Sequence, residues 1–232
     1  MEQAEHSWNS FYKVAAIVAL IFVAYSLVTM VVLLTIGGAP ESAREAFDLL
    51  AKNRLVGLLR LDALTLLVLP LYYPLFLGLY VGLKTANRAY ASLGALLAIA
   101  GVTLFLATPS AFSLLPLSDE YAAATTTAGR EQLLAAGEAL LASDMWHGSG
   151  AMIGGFLMLI ATLILSLIML KSERFGKWTA YFGILTHGLD LLHGLVGFFA
   201  PQAGVILMAI AGPLYLVWFP LLARDFFRLG QE

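Results

Sequence analysis

Charged residues are so unevenly placed along this chain that long stretches contain none. The charge-free runs are 14–40, 63–83, 89–118 and 145–170, and a fifth run, 178–223, is broken only by Asp190. A hydrocarbon core about 30 Å thick needs about 20 apolar residues in a helix, because lipid leaves free backbone groups unsatisfied. Each of the first four runs is one crossing. The last is too long for one, and Phe199-Ala200-Pro201-Gln202-Ala203-Gly204 supplies turn chemistry near its middle. The pattern therefore predicts an all-α, polytopic bundle of six spans in a single transmembrane domain, with spans at about 12–36, 57–83, 89–110, 147–170, 178–199 and 203–223.

Between the spans, two loops carry helical signals of their own. Ser42 followed by Glu45 has capping-box spacing, and Arg44/Asp48 and Asp48/Lys52 are i,i+4 pairs around Phe47 and Leu50. In the third loop, Leu133, Leu134, Gly137, Leu140 and Leu141 form an apolar stripe between Glu131 and Glu138. Both segments are expected as short amphipathic helices at the membrane interface. The prolines at 70, 74, 213 and 220 are expected to bend spans two and six. Gly78/Gly82 and Gly150/Gly154 are G-x-x-x-G pairs that permit close helix approach, first of all within the protomer, and they also offer faces for a homo-oligomer.

Composition agrees with the pattern: 60% of the 232 residues are hydrophobic and 12% charged, where soluble domains carry about 25%. A net charge of -2 with no basic stripe excludes nucleic acid as a partner. The absence of cysteine excludes disulfides, thiolate zinc and iron–sulfur clusters. The distribution of cations sets an expected orientation. Lys13, Lys84, Arg88, Lys171, Arg174, Lys177, Arg224 and Arg228 fall on one side of a six-span chain, and Arg44, Lys52, Arg54, Arg60 and Arg130 on the other, among nine acids. The positive-inside rule then places both termini in the cytoplasm of a cell-membrane protein whose first partners are lipids. The uncharged run from Val14 to Pro40 exceeds the h-region of a signal peptide and reads as a retained span. His6 reads as a solvated tail residue.

Candidate chemistry is concentrated in His187-Gly188-Leu189-Asp190-Leu191-Leu192-His193. A charge at mid-bilayer costs about 2.5–3.5 kcal/mol on insertion scales, so Asp190 must be protonated, paired or wet. His147 opens span four from the outer side, and Arg60 and Asp62 enter span two from that side. The expected site is thus a polar, outward-opening pocket of Asp190, His193, His187, His147, Asp62 and Arg60 in the outer half of the bilayer, binding or transporting a small molecule, an ion or a proton. Hydrogen bonds that merely tether the bundle are the plainer role for the same residues. The alternative chemistry is a metal-dependent intramembrane hydrolase, with His147, Asp190 and His193 holding zinc; the seven-span hydrolases that include alkaline ceramidases place their paired histidines closer together, on a last span that has none here. Haem b held by two histidines is a further option, with His147 as the one partner for span five. No cofactor is predicted. Tyr72-Tyr73 and Tyr215 to Phe219 read as aromatic packing, and Arg224, Asp225 and Arg228 as the anchor of the last span.

Leu55–Leu64, Tyr121–Ala142 and Met169–Gly176 resemble an uncharacterised group of bacterial six-span integral membrane proteins defined as a domain of unknown function. That resemblance implies a bacterial cell-membrane protein and carries no catalytic residue with it.

Overall fold

The computed structural model describes the backbone from Glu2 and the side chains from Trp8 to Glu232; His6 lies outside the described side chains. Every regular element among the described residues is helical: α1 (Glu2–Ile36), α2 (Ala43–Lys52), α3 (Arg54–Arg60), α4 (Ala63–Val68), α5 (Tyr72–Leu83), α6 (Arg88–Leu106), α7 (Ala111–Ala123), α8 (Thr127–Leu141), α9 (Ser149–Met169), α10 (Lys177–Gly197) and α11 (Pro201–Leu229), with a 3-10 turn at Leu69–Leu71. Five segments are long and apolar enough to cross a membrane: Trp8–Ile36, Ala63–Leu83, Arg88–Ala123, Ser149–Met169 and Pro201–Leu229. α10 has the length of a span, 21 residues, but Asp190, His187 and His193 lower its hydropathy, and it is not among the five.

Local chemistry explains the breaks. Asp62 takes a left-handed backbone (φ 57°, ψ 37°) between α3 and α4, unusual for a residue with a Cβ. Pro70 has no N–H to continue the ladder, and the chain tightens into the 3-10 turn there before α5 begins. Ser110 starts α7 in a capping box with Ser113: its side chain accepts from the Ser113 backbone N–H, and the Ser113 hydroxyl accepts from the Ser110 N–H at 3.3 Å. The run 89–118, read from sequence as one span and its exit, is therefore two helices. α11 instead passes through Pro213 and Pro220 as one continuous helix.

The chain forms two compact units. One comprises residues up to Ser26, Leu71–Thr103 and Gly154–Glu232; the other comprises Leu27–Pro70 and Leu104–Ile153. In the first, small residues let helices touch. A Cβ on Gly78 would meet the Ala15 Cβ at 2.9 Å, one on Gly82 the Phe175 ring at 2.8 Å, and one on Gly101 the Gly154 carbonyl oxygen at 2.6 Å. The glycine pairs read in the sequence thus serve packing within the protomer. Around them lie buried Tyr12, Phe22, Phe76, Leu165, Trp218 and Phe226.

In the second unit, α2, α7 and α8 share a core of Ala43, Ala46, Phe47, Leu50, Ala111 and Leu114, with Leu134, Leu140 and Leu141 packed against it. The apolar stripe of α8 thus meets protein: a Cβ on Gly137 would lie 2.7 Å from both the Ala43 Cβ and the Phe47 ring. Ser42 caps α2 by accepting from the Glu45 N–H at 3.2 Å, while the Glu45 carboxylate accepts from the Glu41 N–H at 3.0 Å. That bond, and then Arg60, hold the Glu45 carboxyl below its ordinary range. Arg44 and Asp48 do not form the i,i+4 pair their spacing suggests. Arg44 donates to the Tyr121 hydroxyl at 3.3 Å, and two arginine ion pairs of this unit join different helices, Arg54 to Asp119 and Arg60 to Glu45.

Candidate functional site

α10 has two faces. Trp178, Tyr181, Leu185, Leu192 and Leu195, at helical spacing, are exposed and apolar or aromatic. Opposite them, Thr179, Gly183, Thr186 and His187 are buried, and Asp190 lies on the same side half-buried. His187, Asp190 and His193 thus lie on the side of α10 that packs against protein, away from its apolar face.

Asp190 accepts a hydrogen bond from the Tyr215 hydroxyl of α11 at 2.7 Å. Tyr72, at the start of α5, is within electrostatic range of the same carboxylate. Among the described residues no ion pair includes Asp190. The sequence explains why: 14–40, 63–83, 145–170 and 178–223 contain neither lysine nor arginine.

One turn before Asp190, the His187 ring lies edge-on to Trp218 at 4.5 Å and to Tyr215 at 5.2 Å between centroids. His187 Nδ1 donates to the Gly183 carbonyl at 2.8 Å, and His193 Nδ1 to the Gly204 carbonyl at 2.9 Å. A carbonyl only accepts, so in both rings Nδ1 carries a proton, and in a neutral ring of that tautomer Nε2 is the acceptor. Aromatic rings complete the wall: Phe219 stacks on Phe22 at 5.0 Å and on Tyr215 at 5.8 Å, and Phe22 meets Tyr72 at 4.2 Å.

The other residues singled out in the sequence belong to the second unit, each with a local partner. Asp144 accepts from His147 Nδ1 at 2.9 Å and from the His147 backbone N–H at 3.0 Å. Arg60 donates to the Gly38 carbonyl at 2.7 Å and to Glu45 at 2.8 Å, and Asp62 forms the break between α3 and α4. Among the described residues, no three His, Asp or Glu side chains are gathered as a metal site needs.

A family model described as "Domain of unknown function (DUF4386)" matches residues 14–222, nearly the whole chain, including His187, Asp190, His193, Tyr215 and Trp218. The chain belongs to this family. No curated protein and no solved structure matches it. The DUF4386 assignment agrees with the resemblance read from Leu55–Leu64, Tyr121–Ala142 and Met169–Gly176, and it brings no assigned activity.

Two groups of this DUF4386 chain were missed as chemistry at the sequence level. Tyr215 was read as packing, yet its hydroxyl is the direct partner of Asp190. Asp225 was read as part of a surface anchor, yet it is fully buried. It accepts from the Gly176 N–H at 2.8 Å, from the Thr179 hydroxyl and from Arg224 at 3.1 Å. It thereby caps the N-terminus of α10, where the helix dipole favours an anion. Nothing in a single sequence pairs residues that lie 49 positions apart.

Proposed function

We propose that this protein is a six-span protein of the cell membrane, with both termini cytoplasmic, that binds a small cation, the proton included, at Asp190 and links that binding to transport or sensing. Six spans require α10 to cross as well. Its 21 residues, its apolar outer face and its paired polar inner face support that reading. The excess of cations on the side of Lys84, Arg88, Lys171 and Arg174 supports the orientation.

The observation that carries the binding role is a carboxylate on a membrane helix whose direct partner is a neutral tyrosine. Even half-buried, a negative charge without a counter-charge is costly away from bulk water, and a proton or a cation removes the cost. The surrounding aromatic faces of Tyr215, Tyr72 and Phe219 are compatible with a positive guest.

The test uses the full chain in lipid nanodiscs, with its melting temperature followed across pH and in sodium, potassium and tetramethylammonium chloride. At least one of these variables is expected to stabilise the wild type, and Asp190→Asn to abolish that response while remaining folded. Identical responses of wild type and Asp190→Asn under every condition contradict the proposal.

A further inference from the structure

The start of α1, the α5–α6 link, the α9–α10 link and the end of α11 meet at one end of the first unit. Lys84 lies over the Trp8 ring at 5.5 Å and Arg174 over the Tyr12 ring at 5.4 Å. Arg228 donates to the Arg174 carbonyl at 2.7 Å, and a Cβ on Gly230 would stand 3.0 Å from the Lys13 Cγ. All eight lysines and arginines of the unit belong to these segments or to the first residue of the helix that follows, Arg88 of α6 and Lys177 of α10. The acids of the same segments are Glu2, Glu5, Glu173, Asp225 and Glu232, five against eight.

Those acids do not cover the arginines of α11. Asp225 is fully buried and already accepts from the Gly176 N–H and the Thr179 hydroxyl, yet it is the carboxylate that Arg224 and Arg228 share, at 3.1 and 3.8 Å. Two guanidinium groups on one carboxylate leave one positive charge over, the charge that one phosphodiester balances. Both side chains are open to receive it, 58% and 50% exposed. A Cβ on Gly176 would meet Arg224 Nη2 at 2.7 Å, so that guanidinium stands beside the start of α10, where Lys177 is exposed. Trp178 and Tyr181 follow, exposed, and Leu185, Leu192 and Leu195 continue the same exposed face. Cations at a helix end, then exposed aromatic rings, then leucines reproduce in order the headgroup, interface and acyl layers of a bilayer.

We propose that this end of the first unit binds an anionic phospholipid, its phosphate at Arg224 and Arg228 with Lys177 adjoining, and its acyl chain along the exposed face of α10. The positive charge left over selects an anionic headgroup over a zwitterionic one, which carries a cation of its own. The apolar face selects a lipid over free phosphate, which has nothing to lay against Tyr181 and Leu185. The site stands apart from Asp190 and does not depend on the cation role proposed there.

The experiment is quenching of tryptophan fluorescence in the full chain, reconstituted in phosphatidylcholine vesicles that carry equal fractions of either phosphatidylglycerol or phosphatidylcholine with brominated acyl chains. Brominated phosphatidylglycerol is expected to quench the wild type at about fivefold lower content or less, since each cation near a membrane surface contributes about 1 kcal/mol toward an anionic lipid. Trp178→Phe is expected to remove most of the difference, which places the lipid at α10. The double variant Arg224→Gln/Arg228→Gln is expected to bring the two lipids level. Lys177→Gln, which leaves the partners of Asp225 in place, is expected to reduce the preference and repeats the test should the double variant fold poorly; Lys52→Gln in the second unit is expected to leave it unchanged. Equal quenching of the wild type by both lipids overturns the site, as does an undiminished preference in both Lys177→Gln and the arginine double variant. Loss of the preference on adding millimolar inorganic phosphate, but not on adding equal ionic strength of sodium chloride, overturns the lipid in favour of free phosphate.

Discussion

A carboxylate on a membrane helix must be protonated, paired or hydrated, and Asp190 of α10 and Asp225 of α11 are held differently. Asp225 is paired: it is fully buried and receives the Gly176 N–H, the Thr179 hydroxyl and Arg224. Asp190 has a tyrosine. The first arrangement belongs to structure; the second is the kind the proposed cation role calls for, because a site with strong permanent partners has no use for a guest. Asp225→Ala strips the α10 N-terminus of its acceptor and is expected to cost about 3 kcal/mol, read by thermal or detergent-induced unfolding of the reconstituted protein; a change below about 0.5 kcal/mol, the level of an ordinary surface substitution, contradicts the capping role. Asp190 was legible in the sequence because a lone charge in a long apolar run is conspicuous. Asp225 was not, because it sits among Arg224 and Arg228 near the chain's end and reads there as a solvated anchor.

At the scale of elements, hydropathy located the long helices and missed what backbone chemistry does inside them. The run 89–118 has no charge to mark a boundary; the span read at about 89–110 covers α6, and α7 after it was not foreseen, although Pro109 and Ser110 were the signal, a helix stop followed by an N-cap. The break at Asp62 left no signal, since aspartate commonly continues or caps a helix and its left-handed backbone follows from the tertiary fold. The stripe on α8 was legible as apolar, but amphipathicity does not say whether lipid or protein covers it. Here α2 does, through Gly137 against Ala43 and Phe47. The Glu138 carboxylate, one residue on, accepts from the Ala43 N–H at 2.8 Å and ties the two helices. Gly137→Leu is therefore expected to destabilise by about 1–3 kcal/mol, the cost of overpacking. Its check is the cooperative unfolding midpoint of the full chain. An unchanged midpoint means that α8 does not pack on α2 in the membrane.

For the whole molecule, the account depends on α10. Among the described residues five segments are long and apolar enough to cross a membrane, while α10 has its hydropathy reduced by His187, Asp190 and His193. A polar span is tolerated when its polar side faces protein and its other side faces lipid, and the alternation of Thr179, Gly183, Thr186, His187 and Asp190 with Trp178, Tyr181, Leu185, Leu192 and Leu195 meets that condition. The chain has no native cysteine, so single nitroxide labels can be placed along α10 without background. The decisive measurement is the accessibility of labels at positions 185, 186, 190, 192 and 195 to lipid-dissolved oxygen and to a water-soluble nickel chelate in nanodiscs. High oxygen exposure is predicted at 185, 192 and 195 and low exposure at 186 and 190, with a helical period. Labels at 190 as open to oxygen as those at 192, or uniformly high nickel exposure along the helix, contradict it.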